Sequence, residues 1–204
     1  MWTWLKTLFI QPDALILDSA IGRMPSLRFR CFSIEDIPAC MALYDGNAPG
    51  RFPDGYREKY EKSLVEEAAL VLIGEQDGQI VACGGIMVYE LPFDESSAAL
   101  TFGLVAPHLH GQGLGTALLV ARIGLLPAHQ TPWNVVLTNV SDSGRFYERF
   151  GFSETQLHTD EEGNAFPVQQ VIASGSAIQA CLQLLEEAEI EIPAGVEIPQ
   201  YIPS

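Results

Sequence analysis

Positive charge is scarce in this chain: 11 lysines and arginines stand against 26 aspartates and glutamates, a formal net charge of −15 over 204 residues. Nucleic-acid binders neutralise phosphates with Lys and Arg, so this balance argues against a nucleic-acid partner. Cysteine is sparse as well. Cys31, Cys40, Cys83 and Cys181 form no Cys-x-x-Cys pair and have no histidine at metal-ligand spacing, so no metal site is expected. Three of them lie in apolar surroundings and read as small core residues, which suits a reduced, cytoplasmic setting. No stretch reaches the roughly 18 uninterrupted apolar residues of a membrane span. Internal repeats and low-complexity tracts are also missing. Near the start the only continuous apolar run is Leu8-Phe9-Ile10, too short for a signal-peptide core, and Asp13 and Asp18 interrupt the stretch after it.

The remaining composition fits one sizeable domain with short extensions. A chain of this length buries about 70% of the surface its unfolded form exposes, so it needs no disulfide. Trp2, Leu5, Leu8 and Phe9 share one helical face, and residues 1–26 read as an extension packing on the domain or on a second subunit of a homodimer. A weak membrane-surface role is the alternative for that face. Acidity is heavy near the C-terminus (Glu186, Glu187, Glu189, Glu191, Glu197), and residues 175–204 read as an amphipathic helix followed by an acidic surface tail. The net charge suits a cationic substrate such as an amine or basic peptide, and equally serves solubility.

Between these extensions the pattern alternates strands and helices. Leu27–Phe32 alternates apolar and polar residues as a strand does. Ser33 and Asp36 make a capping box for a helix that carries Ile37 and Met41 and stops at Asp45-Gly46. A turn-rich loop, residues 47–55, leads into a helix over residues 56–67. Strands follow over 69–74 and 79–88, joined by Asp77-Gly78, a strong hairpin signal. Further strands are expected over 98–105, 133–138, 153–158 and 168–173, and the order reads as an α/β sandwich around a mixed sheet.

The most specific signal is the junction at His110-Gly111-Gln112-Gly113-Leu114-Gly115-Thr116. An apolar strand, Ala98–Val105, runs into it through Ala106-Pro107, and an apolar helix, Ala117–Leu126, leaves it without a spacer. That order aims unpaired backbone N–H groups and the positive end of a helix at one point, which suits a phosphate. A P-loop needs Gly-x-x-x-x-Gly-Lys-Ser/Thr, and no lysine stands near Gly115. A dinucleotide fingerprint needs G-x-G-x-x-G and an acid about 20 residues on. Here the glycines read G-x-G-x-G, and no carboxylate occurs between Glu95 and Asp142.

The stretch from Val105-Ala106-Pro107 to Gly115 resembles the acetyl-CoA signature of the GNAT superfamily of N-acetyltransferases, R/Q-x-x-G-x-G/A after a strand ending in Val-x-Pro. His110 stands where the family has Arg or Gln. Downstream, Ser143–Phe152 resembles the family's A-x-x-x-Tyr-Glu-x-x-Gly-Phe block, with Ser143 in place of Ala. Both motifs occur in family order and at a family-like separation. The resemblance implies an acetyltransferase domain over residues 27–174, folded as a GNAT-like three-layer sandwich around a mixed, mostly antiparallel sheet.

The same resemblance implies a site. Acetyl-CoA, as co-substrate, would pair its pantetheine arm with the backbone of Gly103, Leu104 and Val105, whose N–H groups also stabilise the carbonyl oxygen of the thioester as it gains charge. Its pyrophosphate would sit on the amides of Gly111, Gln112, Gly113, Leu114, Gly115 and Thr116. Tyr147 occupies the position of the tyrosine that protonates the leaving thiolate. Asn139 neighbours the position, held here by Val140, where the family often has a cofactor-holding asparagine. His110 makes the loop's charge a matter of pH, since imidazole titrates near neutrality. Glu90 or Glu95, or a chain of water, would take the amine's proton. Substrate recognition would fall to residues 47–55, with Arg51, Phe52 and Tyr56, and to residues 159–166. The reading is acetyl transfer to a primary amine of a small molecule or protein. The alternatives are a domain that binds acyl-CoA without turnover, and an acyltransferase using a longer acyl group or an oxygen acceptor.

Overall fold

The computed structural model describes residues 13–48, 50–66, 69–90, 96–130, 132–141 and 143–201. The helical face at Trp2, Leu5, Leu8 and Phe9 lies outside them.

Among the described residues eight strands form one mixed sheet: β1 (Arg28–Cys31), β2 (Leu70–Gln76), β3 (Gln79–Glu90), β4 (Ser96–Val105), β5 (Trp133–Thr138), β6 (Ser153–Thr159), β7 (Ala165–Ala173) and β8 (Gln200–Tyr201). Their order is β1-β2-β3-β4-β5-β7-β6, with β8 on β3. Pairing is antiparallel except for β4–β5 and β3–β8. Asp77 and Gly78 both take positive φ (52° and 74°), the conformation of the tight two-residue turn that matches strand twist in the β2–β3 hairpin.

Helices α1 (Ile37–Asn47), α2 (Tyr56–Val65), α3 (Leu114–Gly124), α4 (Gly144–Glu148) and α5 (Gly175–Glu187) cover the sheet. Alternation along β3 separates the layers. Cys83 faces α2, its sulfur 3.1 Å from the Tyr60 hydroxyl, while Gly84 faces Leu118 and Arg122 of α3. Cys181, Leu182 and Leu185 of α5 lie against Gly124 at the end of α3. This is the three-layer arrangement that the family resemblance implies, and it agrees with the α/β sandwich read from the pattern. Cys40, Cys83 and Cys181 are buried in it and all four cysteines are free thiols.

Gly46 does not stop α1. The helix continues to Asn47, whose Nδ2 donates to the Leu43 carbonyl (2.8 Å), and a Cβ on Gly46 would come within 3.2 Å of the Pro107 ring. The glycine is there for close approach, a use that turn propensity does not reveal.

The flanking segments add to the sheet instead of lying loose on it. Leu15 donates its N–H to the Ile172 carbonyl (2.9 Å) and Ile16 to the Phe150 carbonyl (3.0 Å), so residues 13–26 run from β7 past the end of α4 towards the glycine loop. The tail returns at Glu191, whose carbonyl accepts from Phe29 (2.7 Å), and then forms β8 beside Val88 and Tyr89.

Two features of β4 position the site. Strand β5 pairs only with Ser96–Ala99, so among the described residues the rest of β4 has no strand on that side. In addition, β4 spends three steps (Leu104 to Thr101) where β3 spends two (Cys83 to Gly85), a bulge marked by a φ of +40° at Phe102. An extra residue of this kind bends a strand and re-aims its groups. The bulge falls where β4 parts from β5.

Candidate active site

A cavity of about 510 Å3 opens between the parted half of β4, the glycine loop and α4. Gly103, Leu104 and Val105 form one wall; His110, Gly111, Gln112, Gly113, Gly115 and Thr116 form another; Tyr147 closes a third. Leu114 does not line it, being buried as the first core residue of α3.

The glycine loop adopts the geometry that its composition allows. Gly111 and Gly113 have φ of +81° and +90°, left-handed values that L side chains avoid. Gly113 has a second reason to lack a side chain, because a Cβ there would overlap the Arg23 carbonyl of the N-terminal segment. It also serves as the cap of α3 without any side-chain bond, and the first intrahelical bond is donated by Ala117 to the Gly113 carbonyl (2.9 Å). The amides of residues 113–116 therefore face outward for a ligand, whereas that of Gln112 donates to the Leu109 carbonyl (3.3 Å).

Val105 is fixed by contacts that the motifs do not predict. Its carbonyl accepts from Asn47 Nδ2 (2.9 Å) and lies 3.1 Å from His110 Nε2. In an extended strand the N–H of a residue points to the same edge as its C=O, so the Val105 amide also faces away from β3. Asn47 is itself buried and lines the cavity, tying the end of α1 to the end of β4. The His110 ring turns back onto the strand instead of standing free in the loop.

Tyr147 is 9% exposed and held edge-on between Phe146 (centroids 4.9 Å) and Phe152 (5.4 Å). Its hydroxyl lies 3.5 Å from the point where a Cβ on Gly103 would stand, so it reaches the β4 bulge. Asn139 does not line the cavity. Its carboxamide oxygen accepts from the Ser143 N–H (3.0 Å) and hydroxyl (3.1 Å), bracing the start of α4 and so the helix that carries Tyr147. Glu95 and the side chain of Glu90 lie outside the described residues.

The expected recognition segments come together in space. Arg51 and Phe52 line the cavity; Tyr56 does not, but its hydroxyl donates to Asp160 Oδ2 (3.2 Å) and its ring packs edge-on against Phe166. Lys59 pairs with Glu162 (2.9 Å), a second tie between α2 and the β6–β7 hairpin. Burial, and then the bond to Asp160, raise the Tyr56 pKa above the ordinary phenol value.

Four arginines also line the cavity, Arg23, Arg51, Arg122 and Arg149, and no carboxylate does so among the described residues. In a chain with a net charge of −15 this is a local reversal of sign. Arg149 stacks over Phe146, 5.3 Å from its centroid. Arg23, Asn47, Arg122 and Arg149 fall outside the recognised positions. The one sequence signal for any of them is a lone cation, Arg122, in the apolar helix Ala117–Leu126. Among the described residues no cluster of His, Cys, Asp and Glu has the form of a metal site, and no helix is long and apolar enough to cross a membrane.

Residues 67–154 match the family model of the acetyltransferase (GNAT) domain. No curated protein matches the chain in sequence. Solved structures resemble it in fold. The ribosomal-protein-S18-alanine N-acetyltransferase of Escherichia coli is 21% identical with a TM-score of 0.52, over 72% of this chain and 93% of that one. The loading GNATL domain of CurA from Lyngbya majuscula is 16% identical with a TM-score of 0.55, over 76% and 98%. Arabidopsis thaliana Naa50, in complex with the bisubstrate analogue CoA-Ac-MVNAL, is 16% identical with a TM-score of 0.51, over 71% and 97%.

Proposed function

The chain carries an acetyltransferase domain of the GNAT family, and on that premise we propose that it moves an acetyl group from acetyl-CoA directly to a primary amine of a small molecule or protein. The observation that carries this reading is the meeting, in one cavity, of the glycine-loop amides, the unpaired half of β4 and the Tyr147 hydroxyl. The pantetheine arm adds to β4 as an extra strand would, using the edge that β5 leaves free. The pyrophosphate rests on the amides of Gly111 and residues 113–116, and the exposed Arg23, Arg51 and Arg149 supply positive charge beside it.

The reaction then needs three things of this chain. The neutral amine attacks the thioester carbon after losing a proton to Glu90, Glu95 or water. Of the Gly103–Val105 backbone, the N–H of Val105 lies on the free edge of β4 and stabilises the oxyanion that forms, whereas that of Leu104, one step back, faces β3. As the C–S bond breaks, its electron pair stays on sulfur and Tyr147 donates a proton there, while the acylated nitrogen sheds its extra proton to water, from which the phenol is reprotonated. The acetyltransferase unit is residues 27–174, with the N-terminal segment contributing Arg23 to its rim. Its four free thiols suit a reducing, cytoplasmic setting.

A broad screen of amines and peptides with acetyl-CoA, followed by release of free thiol, tests this reading. Acceptor-dependent thiol release that is lost in Tyr147→Phe supports it. Tight coenzyme A binding without turnover on any acceptor favours a binding domain instead.

A further inference from the structure

Arg122 is out of character with its helix. It stands among Leu118, Leu119, Ala121 and Ile123, and only 2% of its surface is exposed. A cation buried this deeply is unfavourable unless paired or solvated by fixed dipoles. Here Nε donates to the Leu118 carbonyl (3.3 Å), and Nη1 to the carbonyls of Gly85 (3.3 Å) and Thr101 (3.4 Å). Burial pushes its pKa down, and Tyr147 opposes that shift. Arginine nevertheless keeps its proton.

The surrounding strands are shaped to admit it. A Cβ on Gly84 of β3 would come within 3.2 Å of Nη1, and one on Gly103 of β4 within 3.1 Å of Nη2. The same point over Gly103 lies 3.5 Å from the Tyr147 hydroxyl. Two neighbouring strands thus lack side chains where the guanidinium lies, and one of those gaps opens on the cavity beside the tyrosine. The Leu118 bond ties Nε to its own helix, and the bonds of Nη1 brace β3 and the β4 bulge. Nη2 lies instead at Gly103, on the cavity wall beside Tyr147.

We infer that Arg122 supplies a fixed positive charge that stabilises the coenzyme A thiolate as it leaves, beside Tyr147 at the floor of the cavity. This rests on the reading that the cavity takes acyl-CoA. When the thioester C–S bond breaks, both bonding electrons pass to sulfur, and the guanidinium holds that negative charge until the Tyr147 proton arrives. The tyrosinate that remains then lies against the same cation. Tyr147 from α4 and Cys83 from β3 are the titratable groups that face the guanidinium. Cys83 is kept neutral, because its bond with Cys40 and its burial push its pKa up.

Free coenzyme A provides a test that needs no acceptor. Ionisation of its thiol on the protein is followed by ultraviolet thiolate absorbance against pH, with the desulfo analogue as blank, in wild type, R122M and R122K. The bound thiol in wild type is expected to ionise at lower pH than free coenzyme A. R122M moves that transition up by about one pH unit, tenfold in the ionisation constant, and R122K restores most of the difference. A wild-type bound thiol no more acidic than the free one overturns the inference, whether or not R122M folds. An unchanged transition in an R122M protein that still binds coenzyme A overturns it as well. No binding of coenzyme A by wild type overturns the acyl-CoA reading itself.

Discussion

At the mouth of the cavity Arg23, Arg51 and Arg149 are exposed, and Arg149 lies over the ring of Phe146; at the floor Arg122 is buried among leucines and touches backbone carbonyls. Exposed cations are mobile and screened by salt within about 8–10 Å. They suit the recognition of an anion that is present before and after the reaction. A buried cation in fixed carbonyl contacts is screened little and needs no rearrangement when charge appears next to it. On the proposed reading, one cavity holds arginine for affinity at one end and for the chemical step at the other. Asn139, bracing α4, and Asn47, fixing Val105, hold the scaffold between the two ends.

Four variants probe this division. Tyr147→Phe, at the floor, is expected to lower kcat about 100-fold or more, the usual reach of a general acid, with coenzyme A affinity unchanged. Rate measurement beside calorimetry checks it, and equal losses in both would merge the two ends. Gly113→Ala, at the mouth, combines a left-handed φ with overlap against the Arg23 carbonyl. Strain of roughly 1–3 kcal/mol at such a position predicts about tenfold or greater weakening of coenzyme A binding and a lower Tm. Arg149→Gln is expected to weaken binding about fivefold in dilute buffer (~1 kcal/mol) and hardly at all in high salt, with kcat retained. Loss of kcat in that variant would move chemistry towards the mouth.

The smallest effect is expected far from both ends. Arg30 holds Asp36 through two bonds (2.6 and 2.8 Å), and this pairing keeps the carboxyl below its ordinary pKa. A folded-state pKa below the unfolded one gives stability that is present above the usual carboxylate range and lost as pH falls through the folded value. Asp36→Asn should therefore lower unfolding stability by about 1–2 kcal/mol at neutral pH, and the gap should close in acid. Urea denaturation at the two pH values reads it, with cavity function unaltered at neutral pH.

What the sequence made legible was local. The glycine loop and the Tyr147 block are contiguous, so spacing alone reveals them, and Asp77-Gly78 marked its hairpin without outside help. The insertion of β7 between β5 and β6 depends on pairing between distant segments, which periodicity does not encode. The same reason hides Arg23, which meets the loop only because residues 13–26 cross from β7 to Gly113, and Arg149, which lines the cavity from the end of α4. Gly46 and Gly84 read as punctuation or as small residues, and their purpose, room for Pro107 and for Arg122, appears only when the partners are in place.

If this cavity, cationic within an acidic protein, holds the phosphates and thiol of coenzyme A, a thermal-shift titration with coenzyme A should reveal it. The expected result is a saturable rise in Tm, corresponding to about 2.7 kcal/mol of added stability at a hundredfold excess over Kd, and a smaller rise for Arg149→Gln. An unmoved Tm at millimolar coenzyme A would contradict it.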